Sequence, residues 1–215
     1  MRLSFYFLRR IKLIISDVDI CNLALDHLNQ ANITSLDEGS KSSKKCKFWY
    51  EVVRKSLLMN INASFSIKRA VLAEVANFVP IYGYEKAYAL PDDCLQVLNL
   101  ESPLNDEFYQ IEGNYFYCNK QNNNVRIRYI ADVKDVSVFD AEFVNLFSLA
   151  LAEVLCVPLT EDLEKRNFLR QLKKEKYIEC STKYGRDNRI TVINKPGYRG
   201  AKIFPYILSS NYPLR

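Results

Sequence analysis

Apolar residues recur at three- and four-residue spacing over 16–30, with Val18, Cys21, Leu25 and Leu28 on one side, which predicts a helix. Ser16 stands where its cap belongs, and Asp19 three positions later completes a capping box. A polar loop with Asp37, Gly39 and Ser40 separates it from a second helical pattern over about residues 41–59. Cys46, Tyr50, Val53 and Leu57 form the buried stripe of that helix, and Lys44, Lys45, Lys47, Arg54 and Lys55 are expected to stay in water. Over 60–80 the pattern is mixed, and a shorter helix is expected around 67–76. Period two then takes over between Tyr82 and Val133. It predicts short strands at 88–90, 95–100, 108–111, 115–118 and 125–130, with turns at Gly113-Asn114 and 122–124. Helical period returns at Asp140, a cap for a helix that turns Phe143, Phe147, Ala150, Val154 and Leu155 inward and is expected to stop at Pro158. Thr160 is expected to start a last helix. Its early acids (Glu161, Asp162, Glu164) and later lysines (Lys173, Lys174, Lys176) suit the macrodipole, and Gly185 is expected to end it.

The segment 82–98, YGYEKAYALPDDCLQVL, is a rigid corner leading into a strand. Pro91 fixes its own φ and pushes Leu90 toward extended geometry. Asp92 and Asp93 favour a turn because short carboxylates bond nearby backbone N–H groups. Gly113 marks the next turn. The fold class that follows is α+β: a four-helix bundle with a small antiparallel β-sheet inserted between helices two and three, plus an extended C-terminal arm. The expected division is an N-terminal arm or strand at 1–16, a bundle built from 17–61 and 137–186, an inserted β-rich subdomain at 62–136, and the arm at 187–215.

Charge sharpens this division. The 215 residues carry a net charge of +5. Residues 1–16 hold four basic and no acidic side chains, and 183–215 hold seven basic against one acidic, so the middle is net negative. Basic ends suit docking on an acidic protein face or on phosphate. The leader looks briefly like a signal peptide, but Arg9, Arg10 and Lys12 interrupt it and no small-residue cleavage site follows; an arm, a strand or a mis-assigned start codon is expected. The six cysteines lie far apart with no CxxC or His pairing, so they are expected to be reduced, buried and free of zinc.

Catalytic chemistry finds little to stand on. The single histidine, His27, lies beside the stripe of the first helix with no second ligand type near it. Asp92 and Asp93 are adjacent, so in an extended segment they point apart and suit a turn better than an acid pair. Glu142 and Glu153 are expected to be solvated on a helix, and Trp49 to sit at a core rim. No catalytic, cofactor-binding or metal-ligating residue is assigned, and no cofactor. In the arm, Arg186, Arg189, Tyr198, Arg199, Lys202, Phe204 and Tyr206 interleave basic and aromatic side chains. That pattern can serve single-stranded nucleic acid, but the apolar residues between them speak for a protein groove.

The order of these features resembles the tail tubular protein A family, the head-to-tail adaptors of short-tailed bacteriophages. The pieces run across most of 17–187: Ile20-Cys21-Asn22-Leu23-Ala24-Leu25, Ile33-Thr34-Ser35-Leu36-Asp37-Glu38, and the helix with Cys46, Tyr50, Val53, Arg54 and Leu57. Then come Tyr88-Ala89-Leu90-Pro91-Asp92-Asp93-Cys94-Leu95, the most specific piece, Ile111-Glu112-Gly113-Asn114, Arg128-Tyr129-Ile130, and Phe139-Asp140-Ala141-Glu142-Phe143. The family's Trp-x-Phe-Ala element is replaced by Ala63-Ser64-Phe65-Ser66, and 1–16 and 188–215 have no counterpart. The resemblance implies a non-enzymatic virion protein that forms a homo-oligomeric ring, commonly of twelve. Its implied partners are the portal protein and the tail nozzle protein. Genomic DNA would pass through its channel without sequence-specific binding, and no stable membrane association is implied. A DNA-binding accessory protein using the basic termini is the alternative, and a wall-degrading enzyme with an acidic pair is a third reading.

Overall fold

The computed structural model describes residues 15–76, 80, 82–100, 109–119 and 125–188. The chain is mixed α+β, with four helices and a curled six-stranded antiparallel sheet. Helices α1 (Asp17–His27) and α2 (Lys41–Ile61) come first, then strands β1 (Ile67–Glu74), β2 (Lys86–Ala89), β3 (Cys94–Leu100), β4 (Tyr109–Glu112), β5 (Tyr115–Cys118) and β6 (Val125–Ala131). Helices α3 (Ala141–Thr160) and α4 (Leu163–Asp187) close the order.

The helix starts follow from local chemistry. Ser16 caps α1, and the full capping box with Asp19 forms. Ser40, Asp140 and Asp162 cap α2, α3 and α4 through their side chains. Helix α3 is apolar on nearly all sides because it packs against α1, α2 and α4 together. Phe143, Phe147, Leu151 and Leu155 are among its fully buried side chains, joined by Ile20 and Leu25 from α1 and Leu58 from α2.

The sheet order is β3-β6-β1-β2-β5-β4, with every pairing antiparallel. Strand β1 joins its two halves: residues 67–72 pair with β6, while Ala73 and Glu74 pair with β2. Two register shifts bend β3 along β6. The curled sheet encloses a second apolar cluster of Leu72, Tyr88, Phe116, Val125, Ile127 and Tyr129. Its opposite face meets the helices at Ile130, part of the main core, with Ile67 packed beside it.

Several expectations are corrected. The helix expected around 67–76 does not form; residues 67–74 are the strand β1, central in the sheet, because pairing on both sides outweighs the helix-forming Lys, Arg, Ala and Leu of the segment. Pro158 does not end α3, which runs two residues further. A proline so near the end sacrifices one bond, and the remaining turn is held by Glu161 N–H to the Val157 carbonyl at 3.0 Å and by Thr160 Oγ1 to the Cys156 carbonyl at 2.7 Å. Thr160 therefore closes α3 instead of starting α4, and Glu161, at φ 57°, makes the corner. Gly185 does not stop α4, which continues to Asp187. The expected turn at 122–124, the leader 1–14 and the arm beyond residue 188 lie outside the described residues.

Candidate functional site: the helix–sheet junction and a basic groove

Arg54 lies on the buried stripe of α2, fully removed from solvent, and not in water as its charge suggested. Its Nη1 donates to Asp132 Oδ1 at 2.6 Å and to the Val133 carbonyl at 2.6 Å, and its Nη2 donates to the Glu51 carboxylate. Nε is buried with no hydrogen-bond partner among the described residues. Burial disfavours the guanidinium charge, but the bonds to Glu51 and Asp132 outweigh it and hold the pKa above its ordinary value. Asp132 sits just past β6, so this arginine fastens α2 to the end of a central strand.

The fastening continues into the predicted corner. The Asp132 N–H donates to the Asp93 carbonyl at 2.7 Å. Asp93 Oδ2 accepts from Lys68 Nζ at 2.7 Å and its Oδ1 from the Tyr129 hydroxyl at 3.0 Å, which ties the turn to β1 and β6. The Lys68 bond leads in holding the Asp93 carboxyl below its ordinary value. Burial, then Asp93, pushes the Tyr129 phenol up to about 12. The Cys94 N–H donates to the Pro91 carbonyl at 2.9 Å, closing a turn over Asp92 and Asp93. The Leu90 N–H donates to the Asn114 carbonyl at 3.0 Å, so the turn at Gly113, with φ 58°, docks on this corner. Pro91, Asp92 and Gly113 thus line one small cleft of about 180 Å³. The structure brings the predicted turn residues together: Pro91, Asp92 and Gly113 at the cleft, and Asp93 bonded to β1 and β6.

A second joint ties the last two helices. Asp140 Oδ1 accepts from the Phe143 N–H at 2.9 Å and the Tyr184 hydroxyl at 2.8 Å, and its Oδ2 from Lys183 Nζ at 3.0 Å. Burial raises the carboxyl's pKa, yet these bonds win and leave it below its ordinary value. Phe65 packs its ring 5.4 Å from Phe139, 5.1 Å from Phe143 and 6.3 Å from Tyr184. Glu153 is buried and not solvated as expected. It pairs with Arg170 Nε at 2.9 Å and with Lys173.

A groove of about 840 Å³ lies on the outer face of β1 and β6. Register fixes its chemistry. Arg69 stands directly opposite Arg128, and Val71 opposite Arg126, all on the face that ends at Ile67 and Ile130. The end of α4 forms the other wall through Asp187 and Asn188. Asn188 Nδ2 donates to the Asn62 carbonyl at 2.8 Å, and Arg128 Nη2 donates to Asn188 Oδ1 at 3.4 Å, which seats the helix end beside the strand. Burial, followed by the nearby Arg69 charge, lowers the Arg128 pKa. Asp187 is the only acid lining the groove among the described residues.

Of the predicted arm contacts, Arg186 is exposed near the end of α4; Arg189, Tyr198, Arg199, Lys202, Phe204 and Tyr206 lie outside the described residues. Trp49 is half-buried against the main core with Phe48 edge-on at 5.2 Å. His27 is exposed at the end of α1. All six cysteines are free thiols, and five are buried. Among the described residues no three His, Cys, Asp or Glu side chains come close enough to hold a metal ion. Sequence reasoning missed Arg54 and the Arg69–Arg128 pair. Arg54 carried a signal, since it continues the stripe of Cys46, Tyr50, Val53 and Leu57; the arginine pair carried none until β1 was a strand. No protein-family model matches the chain, and a search of curated proteins returns no match.

Proposed function

We propose that this chain is a structural head-to-tail adaptor of a tailed bacteriophage, a ring subunit between portal and tail nozzle that forms part of the DNA exit channel. In this reading it is a virion protein, assembled in the host cytoplasm, that converts no substrate. The four helices act as a bundle, and the sheet is a subdomain carried between its second and third helices. One observation carries the reading. Residues that bear the resemblance make the polar joints between elements: Arg54 joins α2 to the end of β6, Asp93 joins its turn to β1 and β6, and Asp140 joins α3 to α4. Polar bonds that fix how neighbouring elements sit suit a part that must keep its shape among larger neighbours. The net-negative middle of the chain fits a channel that lets phosphate slide.

Electron microscopy of the virion and of the purified protein tests the proposal. A ring of this chain at the head-to-tail junction is expected. Virions that lack the protein, or that carry it elsewhere, would overturn the reading.

A further inference from the structure

The Arg69–Arg128 pair is set against itself. Two guanidinium groups directly opposite on antiparallel strands repel, a destabilising arrangement that an outside anion relieves. Arg69 is exposed, and Arg128 is half-buried, its side chain held among the described residues by Asn188 at 3.4 Å. Beside them on the same strand face stands Val71, an apolar side chain 60% exposed. The groove therefore asks for carboxylates around an apolar knob. Its described lining contains no aromatic ring on which a nucleic-acid base would stack. The chain's own C-terminal segment is a poor match, because residues 189–215 carry five basic and no acidic side chains.

The complementary surface lies on the same molecule, at the far end of α4. The corner between α3 and α4 reads Glu161-Asp162-Leu163-Glu164, and all four residues are exposed, Leu163 at 60%. Asp162 is occupied in capping α4, where it accepts from the Lys165 N–H at 2.8 Å. Glu161 and Glu164 flank the exposed leucine. A helix of 25 residues is about 37 Å long, so one copy cannot bring its corner to its own groove. That distance is several times the Debye length of about 8 Å, so the two charges do not compensate each other within a copy.

We infer that the basic groove of one copy receives the Glu161–Glu164 corner of a second copy, with Leu163 against Val71 and the two glutamates on Arg69 and Arg128. The contact is heterologous, a groove at one end of α4 taking the other end of the next α4, so repetition gives a closed ring or an open filament. The inference rests on the ring reading proposed above and assigns its subunit interface.

Charge reversal with mixing tests it on the full-length chain, followed by sedimentation velocity over a concentration series at low salt. A groove variant (Arg69→Glu with Arg128→Glu) and a corner variant (Glu161→Lys with Glu164→Lys) should each associate at least about tenfold more weakly than the parent chain. Mixed together they should assemble again, because each then offers the other a matched surface. Circular dichroism checks folding, and the corner variant, altered only at exposed side chains, keeps the test alive if the groove variant unfolds. Three results overturn the inference: a parent chain that stays monomeric throughout, reversals that leave association unchanged, or variants that do not recover on mixing. Oligonucleotide retention lost by the groove variant with sedimentation unchanged would assign the groove to nucleic acid instead. The two proposals fail separately. Rings in virions that ignore these charges sink the docking alone, and charge-dependent assembly of a protein absent from virions sinks the adaptor alone.

Discussion

Arg54 shows how a single side chain can hold two layers in register. It brings a full charge out of water, and only the carboxylates of Glu51 and Asp132 and the Val133 carbonyl make that tolerable. Arg54→Ala should therefore leave Asp132, itself only 13% exposed, without its main partner, and destabilise the protein by about 3–5 kcal/mol in urea unfolding. Arg54→Lys should recover only part of this, since an ammonium cannot reproduce the forked geometry. The arginine was legible as a stripe position but not as buried, because its acid partner lies 78 residues along the chain, beyond the range of helical periodicity. The thiols follow simpler rules. Cys94 is half-buried and the other five cysteines are buried, so native-state alkylation read by mass spectrometry should label Cys94 first. Burial raises its pKa, so the reaction should be slow at neutral pH and quicken as pH rises.

At the scale of elements, caps and periodicity were the legible part. Ser16 and Asp140 announce α1 and α3 because the chemistry that starts a helix is local. Strand β1 was illegible for the opposite reason. Its residues favour a helix in isolation, and only pairing with β6 and β2, more than a dozen residues away in sequence, makes it a strand. The ends of α3 and α4 were misread because Pro158 and Gly185 are weak stops once tertiary packing continues past them. Asp140 offers an element-scale test. Asp140→Ala removes a cap and strands the buried Tyr184 hydroxyl, which together should cost about 2–4 kcal/mol and lower Tm. Its pH behaviour follows from sign. The folded pKa of Asp140 lies below the ordinary 3.8, as does that of Asp93, while Glu153 lies below 4.5. The stabilisation these carboxylates give is present above those ordinary values and is lost as pH falls through the depressed folded ones. A thermal-melt series should show a plateau near neutrality and a drop below about pH 4, shallower in Asp140→Asn.

On the scale of the whole molecule, the mixed α+β class and the antiparallel sheet were readable from the switch between periods. How the curled sheet presents an arginine face was not, since strand order depends on contacts between distant segments. The expectation that residues beyond 188 serve assembly gains a sharper boundary. Asn188 caps α4 and bonds the Asn62 carbonyl, so a truncation should begin after it. A chain ending at Asn188 should remain folded, with unfolding midpoints close to those of the full chain. It should form fewer rings, or dock less well in virions, by negative-stain counting. Unchanged ring yield and incorporation would rule out an assembly role for 189–215.

The Asn188 tether has a mechanical consequence. Its side chain and backbone link the last helical turn to three places at once: the Tyr184 carbonyl within α4, the end of α2 through Asn62, and β6 through Arg128. Tension applied to the residues that follow would be divided among a helix, a strand and a second helix, loading them in parallel. Unzipping one turn at a time, the weak mode for a lone helix under traction, is thereby blocked at its first step.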